Sequence, residues 1–307
     1  MYDLVIVGAG PGGLTSAIYA GRKKMKCVLV TGFNVGGETN KTNNIENYPG
    51  FEGPGAELMQ KFFDSAKKWG CEIVEHMVVK ITKPKDFIIE LDDGKKLDSK
   101  TVILCYGRER RKLGVVGEDK FLGRGLSTCT TCDAPLFSNK DAAIIGGGNS
   151  AVEGALELAS IANKVYLVHR RDQFRADEVT VELAKKNPKI ELVLSCVPVE
   201  IKGDKFVSAL VVENVNSKEK RELPVQGVFS EIGWETKTEL VSGLVDTNPA
   251  GEIVVDQFCR TKTPGLYACG DLTNMLYKQT VIAAGMGAVA TLDAYRFLTG
   301  SVTEYSK

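Results

Sequence analysis

The chain has 307 residues, 43% of them apolar and 25% charged, which excludes a disordered or collagen-like polymer and predicts roughly two globular domains. Lysine plus arginine number 39, as do aspartate plus glutamate, so no net charge draws the chain to nucleic acid or to an anionic membrane. No uninterrupted apolar run reaches the ~18 residues of a membrane-spanning helix, and Met1-Tyr2-Asp3 lacks the basic start of a signal peptide. A soluble cytoplasmic protein is expected, and with only His76 and His169 a multi-histidine metal site is not.

The first predicted element is a β-branched strand over residues 3–7. Gly8-Ala9-Gly10-Pro11-Gly12-Gly13 follows, then a helix to Arg22 and a second strand over 26–30. An unbroken apolar run of this length reads as a buried parallel strand, so this is a βαβ unit with G-x-G-x-x-G at its first turn. In that motif Gly8 allows the tight turn, Gly10 lets the backbone approach a pyrophosphate and Gly13 permits close helix–strand packing. The helix N-terminus offers its free N–H groups to the phosphates. A dinucleotide is expected here, although the second strand ends in Thr31-Gly32 where an acid would hold a ribose. Residues 85–97 alternate apolar and polar around Asp92-Asp93-Gly94, a hairpin signal, and an apolar run over 101–105 leads to Gly107.

A second βαβ unit starts with a strand over 142–145 and the turn Gly146-Gly147-Gly148-Asn149-Ser150-Ala151, a G-x-G-x-x-A pattern. A helix over 151–161 and a strand over 165–168 complete it. Where an NAD site would place an acid, about twenty residues on, stand His169-Arg170-Arg171 with Arg175 close behind. Guanidiniums bind a 2′-phosphate through paired N–H donors, so NADP is expected over NAD. A further antiparallel stretch lies over 205–223, giving each nucleotide unit a β insertion. The chain closes with a strand entering Gly270-Asp271 and a long helix rich in small residues over 279–298.

Cys129-Thr130-Thr131-Cys132 is the one C-x-x-C among eight cysteines, and Asp133 follows it. At this spacing one sulfur attacks the other, which suits a disulfide that opens and closes. Structural zinc would need a second ligand pair, whereas the other six cysteines stand singly and read as small core residues. Asp133 is placed to give or take the proton of thiol–disulfide exchange, or to cap a helix. A nicotinamide delivers hydride and a disulfide accepts two electrons as thiolates. A flavin connects them, so FAD is expected at the first turn and NADPH at the second.

Together and in this order, the motifs resemble the low-molecular-weight thioredoxin reductases of bacterial and archaeal type. The resemblance covers the first glycine turn, Gly36-Gly37, Glu46-Asn47-Tyr48-Pro49-Gly50, the C-x-x-C with Asp133, and the second glycine turn. It continues through His169-Arg170-Arg171-Asp172-Gln173-Phe174-Arg175-Ala176, Gly270-Asp271, Lys278-Gln279, Ala283-Ala284-Gly285 and Leu292-Asp293-Ala294. It implies an α/β fold of two Rossmann-like domains of the three-layer ββα type. The NADPH domain (113–239), which carries the dithiol, would be inserted into a split FAD domain (1–112 and 240–307).

By the same resemblance, FAD would lie against Gly8, Gly10, Pro11, Gly12, Gly13, Gly36, Gly37, Glu38, Asn43, Asn47, Gly107, Gly270, Asp271, Lys278, Gln279 and Thr280. NADPH would lie against Gly146, Gly148, Asn149, Ser150, His169, Arg170, Arg171 and Arg175, with no metal. Cys132 would be the sulfur nearest the flavin and Cys129 the one that attacks the partner's disulfide. The implied activity is NADPH-dependent reduction of thioredoxin disulfide by a homodimer whose NADPH domain rotates on hinges near 110–115 and 235–242. A reductase of another dithiol carrier, such as a glutaredoxin-like protein or a peroxiredoxin system, fits the same motifs. A flavin-dependent dithiol oxidase would not need the arginine cluster, and a zinc-binding module would lack flavin colour. Three stretches depart from the family's usual pattern: Cys105-Tyr106-Gly107 for Ala-Thr-Gly, Glu38 for glutamine, and Gly233-Trp234-Glu235-Thr236-Lys237 for Gly-x-x-Pro-Asn.

Overall fold

The computed structural model describes residues 1–300 except Asn43, with the backbone alone for Thr131 and Cys132. The chain divides into two compact units, Met1–Glu109 with Glu235–Lys307, and Arg110–Trp234.

In the first unit β1 (Tyr2–Val7), α1 (Pro11–Arg22) and β2 (Cys27–Val30) build the expected βαβ. Leu4 to Val7 are buried, as an unbroken apolar strand inside a parallel sheet requires. A hairpin of β3 (Ile45–Tyr48) and β4 (Phe51–Gly53) precedes α2 (Gly55–Lys68). β5 (Glu72–Val74), β6 (Val78–Thr82), β7 (Phe87–Leu91) and β8 (Lys96–Leu104) follow. The sheet order is β5-β2-β1-β8-β7-β6, with β19 (Leu266–Ala268) also on β8.

β8 changes partner part-way. Lys96 to Ser99 run antiparallel to β7, whereas Val102 to Leu104 run parallel to β19. The return arm of the hairpin at Asp92-Asp93-Gly94 and the apolar run after residue 100 are therefore two halves of one strand, which carries the chain from the antiparallel pairing into the parallel one.

The last helix, α7 (Thr280–Thr299), has a mean hydropathy of 1.3 over an 18-residue stretch, enough by length and composition to cross a membrane. Its packing is that of a core helix. A Cβ on Gly287 would lie 2.1 Å from the Gly12 carbonyl oxygen, and Ser16 Oγ of α1 donates to the Gly287 carbonyl at 3.1 Å. The buried Asp293 takes a two-bond ion pair from Arg260, at 2.6 and 2.7 Å.

The chain enters the second unit through β9 (Glu109–Arg110) and leaves it through β18 (Trp234–Glu235). α3 (Glu118–Phe121), β10 (Leu126–Ser127) and α4 (Thr130–Asp133) come first. β11 (Asp141–Ile145), α5 (Asn149–Ile161) and β12 (Lys164–His169) then form the second βαβ. After α6 (Glu178–Lys186) come β13 (Ile190–Leu194), β14 (Cys196–Gly203), β15 (Val207–Asn214), β16 (Lys220–Pro224) and β17 (Gly227–Ser230). The parallel sheet runs β10-β17-β11-β12-β13, and β14-β15-β16 make a separate antiparallel layer. Ile144, Val152, Leu158, Leu167 and Phe229 fill the helix side of the parallel sheet, while Ile145, Val168, Leu210 and Leu223 fill the side under the antiparallel layer. Both units are Rossmann-like: a parallel sheet with a glycine turn at the end of its first βαβ strand and an antiparallel layer besides.

Candidate active site

A cavity of about 580 Å³ opens in the first unit over its glycine turn. Two close approaches and one open face explain the glycines there. Gly8 has φ 102°, and a Cβ on it would lie 2.6 Å from the Tyr106 backbone. A Cβ on Gly13 would sit 1.8 Å from the Gly8 carbonyl oxygen, whereas one on Gly10 would meet nothing nearer than 3.9 Å. The turn is thus packed tight beneath and left open above. No side chain caps α1, so its first-turn N–H groups stay available to an anion. Those features fit a dinucleotide pyrophosphate.

Gly8, Gly10, Pro11, Gly12, Gly37, Glu38, Gly107, Gly270, Asp271, Lys278, Gln279 and Thr280 line the cavity. Gly13 and Gly36 lie behind the wall, Gly36 bonded through its N–H to the Ala9 carbonyl at 2.8 Å. Asn47 is tied to the cavity by its Nδ2, which donates to Gln279 Oε1 at 3.2 Å. Asn43 and the side chain of Cys132 lie outside the described residues.

The cavity's charges sit in pairs. Arg108 stands 4.0 Å from Asp271, Lys278 lies 2.9 Å from Glu252, and Glu38 pairs with Lys41 at 2.6 Å. Burial pushes the Asp271 carboxyl above the usual aspartate range, with Arg108 and Lys278 pulling the other way. At the wall, His76 bridges Asp92 and Asp93, its Nδ1 2.8 Å from the first and its Nε2 3.3 Å from the second.

In the second unit a Cβ on Gly148 would meet nothing within 4 Å, and no side chain caps α5, the same open arrangement as at the first turn. Asn149 reaches across to Asp177 with two hydrogen bonds, at 2.9 and 3.1 Å, and Ser150 is exposed. Arg170, Arg171 and Arg175 are exposed, and the Arg175 N–H donates to the Gly147 carbonyl at 2.7 Å. His169, grouped with the arginines from sequence, is placed differently. Its buried ring lies under Gly147, stacks on Phe174 at 5.2 Å, and shares a hydrogen bond with the Gln173 carbonyl at 3.1 Å. Burial first, then the three arginines, hold its pKa below the ordinary value. It props the turn and does not face outward.

The C-x-x-C opens α4, and Cys129 is held in a disulfide, whereas the six cysteines outside the motif are free thiols. Asp133 uses its carboxylate for no helix cap. Its Oδ2 accepts from Ser127 Oγ at 2.7 Å, and the same Oγ accepts the Cys129 N–H at 3.1 Å. Ser127 therefore ties the acid to the backbone of the first cysteine. On the far side Glu231, at the end of β17, accepts from Thr130 N–H and Oγ1 at 3.3 and 3.1 Å. Its other oxygen lies 3.6 Å from Arg110, which stacks on Trp234 at 4.4 Å. Burial raises the Glu231 pKa in spite of that arginine.

Two glycine turns and one cysteine pair followed by an acid are here set in two Rossmann-like units. The sequence pattern of the family described as pyridine nucleotide-disulphide oxidoreductase matches residues 2–287. The chain belongs to that family. Many of its relatives within this family are thioredoxin reductases, and one, from Ferdinandcohnia aciditolerans, is an NADH dehydrogenase, 38% identical over 98% of this chain and 58% of its own. The thioredoxin reductase from Rickettsia conorii is 40% identical over 304 residues, covering 96% of this chain and 97% of its own. The crystal structure of Lactococcus lactis thioredoxin reductase superposes with a TM-score of 0.77 at 38% identity, over 98% of this chain and 100% of that one. A ferredoxin-flavin thioredoxin reductase from Clostridium acetobutylicum matches at 35% identity and a TM-score of 0.54, over 98% of this chain and 99% of its own.

For a pyridine nucleotide-disulphide oxidoreductase, the implied groups are a flavin and a pyridine nucleotide. The motifs alone did not single out several residues that line the first cavity. Phe33 and Asn34 line it just past β2, beyond Thr31-Gly32, where the chain has no acid to hold a ribose. Tyr106 and Arg108 line it beyond β8, and only their position after a parallel strand hinted at that. Ser127 and Glu231 carry no motif, since they meet the C-x-x-C through β10 and β17, neighbours in the sheet.

Proposed function

We propose that this chain is an NADPH-dependent thioredoxin reductase, with FAD in the first unit and the Cys129–Cys132 pair as the group that reduces thioredoxin. The observation that carries the reading is the acid beside the dithiol: Asp133 is fixed by Ser127, which also holds the Cys129 backbone. The bound cofactors would supply two-electron transfer, from nicotinamide to flavin and from flavin to the disulfide.

The protein's own residues do the rest. The open faces of Gly10 and Gly148 admit phosphates to the N-termini of α1 and α5. The exposed Arg170, Arg171 and Arg175 supply guanidiniums for a 2′-phosphate, while His169 stiffens the turn they flank. Asp271 and Gln279 offer an acceptor and an amide inside the cavity that would hold FAD. Cys132 takes the electrons as a thiolate. Cys129 attacks the disulfide of thioredoxin and forms a mixed disulfide, which Cys132 then resolves. Asp133 receives and returns the proton of that exchange. We assign the enzyme to the cytoplasm and to a homodimer, the latter to be read by light scattering.

Anaerobic titration with NADPH and with NADH, followed by visible absorption, tests the path. A flavin band that bleaches with NADPH and returns on adding oxidised thioredoxin is expected. A band that stays oxidised with both nicotinamides refutes NADPH as donor. Cys129→Ser and Cys132→Ser should each keep bound FAD and lose thioredoxin reduction; activity in either variant removes the dithiol from the mechanism.

A further inference from the structure

A second pair of thiols lies inside the first unit. Cys105 follows β8 and Cys269 follows β19, adjacent parallel strands paired through Leu104 and Ala268. The Cys269 N–H donates to the Leu104 carbonyl at 2.9 Å. The two Sγ atoms are 3.2 Å apart. A disulfide needs roughly 2.05 Å between sulfurs and Cα atoms within about 4.4–6.8 Å, a range that neighbouring strands supply. The missing distance is therefore on the order of 1 Å.

Buried cysteines usually serve as small apolar filler. Cys27 and Cys71 fit that role: they hydrogen-bond each other in the core on the α1 side of the sheet and line no described cavity. Cys105 and Cys269 differ, because both line the dinucleotide cavity. They also form the floor of the glycine turn. A Cβ on Gly12 would lie 2.8 Å from Cys269 Sγ, and one on Gly13 would lie 3.3 Å from Cys105 Cβ. Whatever lies across that turn covers the sulfurs, and a movement of the sulfurs presses on the turn.

We propose that Cys105 and Cys269 are a second oxidisable pair, closed to a disulfide by a peroxide when the cavity's dinucleotide is absent and kept reduced when it is bound. Cys105 is the more exposed residue of the two, at 6% against 1% for Cys269, and its sulfur attacks the peroxide. The O–O bond breaks, an alcohol or water leaves, and Cys105 becomes a sulfenic acid. The Cys269 sulfur then attacks Cys105, forming the S–S bond, breaking the S–O bond and releasing water. Two thiols lose two electrons and the peroxide gains them; a dithiol reductant reverses the change. The hydrogen bond to Cys105 and burial hold the Cys269 thiol protonated well past the ordinary range, so its proton leaves with that water. Coupling of this kind is reciprocal: if bound dinucleotide blocks closure, closure weakens dinucleotide binding by the same factor.

The proposal rests on FAD as the ligand of this cavity. The test uses the full chain carrying Cys129→Ser and Cys132→Ser, in flavin-depleted and FAD-saturated forms, treated with hydrogen peroxide. Non-reducing peptide mapping reads the link, and fluorescence titration reads FAD affinity. Expected are a Cys105–Cys269 peptide in the depleted form, suppressed about tenfold by FAD, and an FAD affinity that falls about tenfold on oxidation and recovers with dithiothreitol. Adding Cys105→Ala should abolish the peroxide effect on affinity. Unlinked thiols in the depleted form, or equal linkage in both forms, overturn the proposal. FAD binding that peroxide leaves unchanged overturns it alone, whereas untreated protein that binds no FAD takes down the cofactor reading as well.

Discussion

Ser127→Ala isolates the contact on which the proposed chemistry depends. Ser127 is 6% exposed, donates to Asp133 Oδ2 at 2.7 Å and accepts the Cys129 N–H at 3.1 Å. The substitution removes one hydrogen bond to a charged acceptor, worth about 1.5–3 kcal/mol, and leaves a part-buried N–H without this partner. Asp133 is partly exposed, so water replaces some of the loss and the lower half of that range applies. About 2 kcal/mol of lost alignment corresponds to a ~30-fold slower step. The expected result is a ~30-fold fall in kcat for thioredoxin reduction, with FAD content and NADPH-driven bleaching unchanged. Coupled assay of thioredoxin with a chromogenic disulfide reads kcat, and the spectrum reads the flavin half. Ser127→Thr, which keeps the hydroxyl, should restore most of the rate. A kcat within twofold of the parent in Ser127→Ala, or an equal loss in Ser127→Thr, refutes the positioning argument.

Replacing Arg170 and Arg171 together by alanine removes two exposed guanidiniums, about 1.5 kcal/mol each at a phosphate. The KM for NADPH should rise on the order of 100-fold while that for NADH barely moves; equal losses count against a 2′-phosphate site. Gly13→Ala forces a methyl onto the Gly8 carbonyl oxygen, beyond what repacking costing about 1–3 kcal/mol can absorb. The purified variant should be colourless, and a flavin content equal to the parent's would show that this turn does not hold the cofactor. Glu231 carries a pKa raised by burial above its ordinary 4.5, so just above that pH the folded chain holds a proton that the unfolded chain has released. Stability contributed by this group is full below the unfolded pKa and falls as pH rises through the folded one. The stability difference between parent and Glu231→Gln should therefore shift in the parent's favour as urea titrations move to acid, and a pH-independent difference would disprove the shift.

Local rules made much of the molecule legible in the sequence. A run such as Leu4 to Val7 buries on both sides of a parallel sheet, and its ending in Gly8 and Gly10 dictates a phosphate turn, since both demands act within a dozen residues. The second βαβ, the hairpin at Gly94 and the C-x-x-C are of the same kind. What the sequence could not show depends on which strands become neighbours. β8 joins antiparallel and parallel pairing because its halves face different partners, and α7, apolar enough for a membrane, packs against α1 through Gly287 and Gly12. His169 sits beside three arginines in sequence, yet a strand turns its ring inward under Gly147 while they stay in solvent. Sheet order alone brings Ser127 and Glu231 to the dithiol and seats Cys105 beside Cys269. Residues 164 positions apart leave no periodic trace, because their meeting is set by the register of β19 on β8.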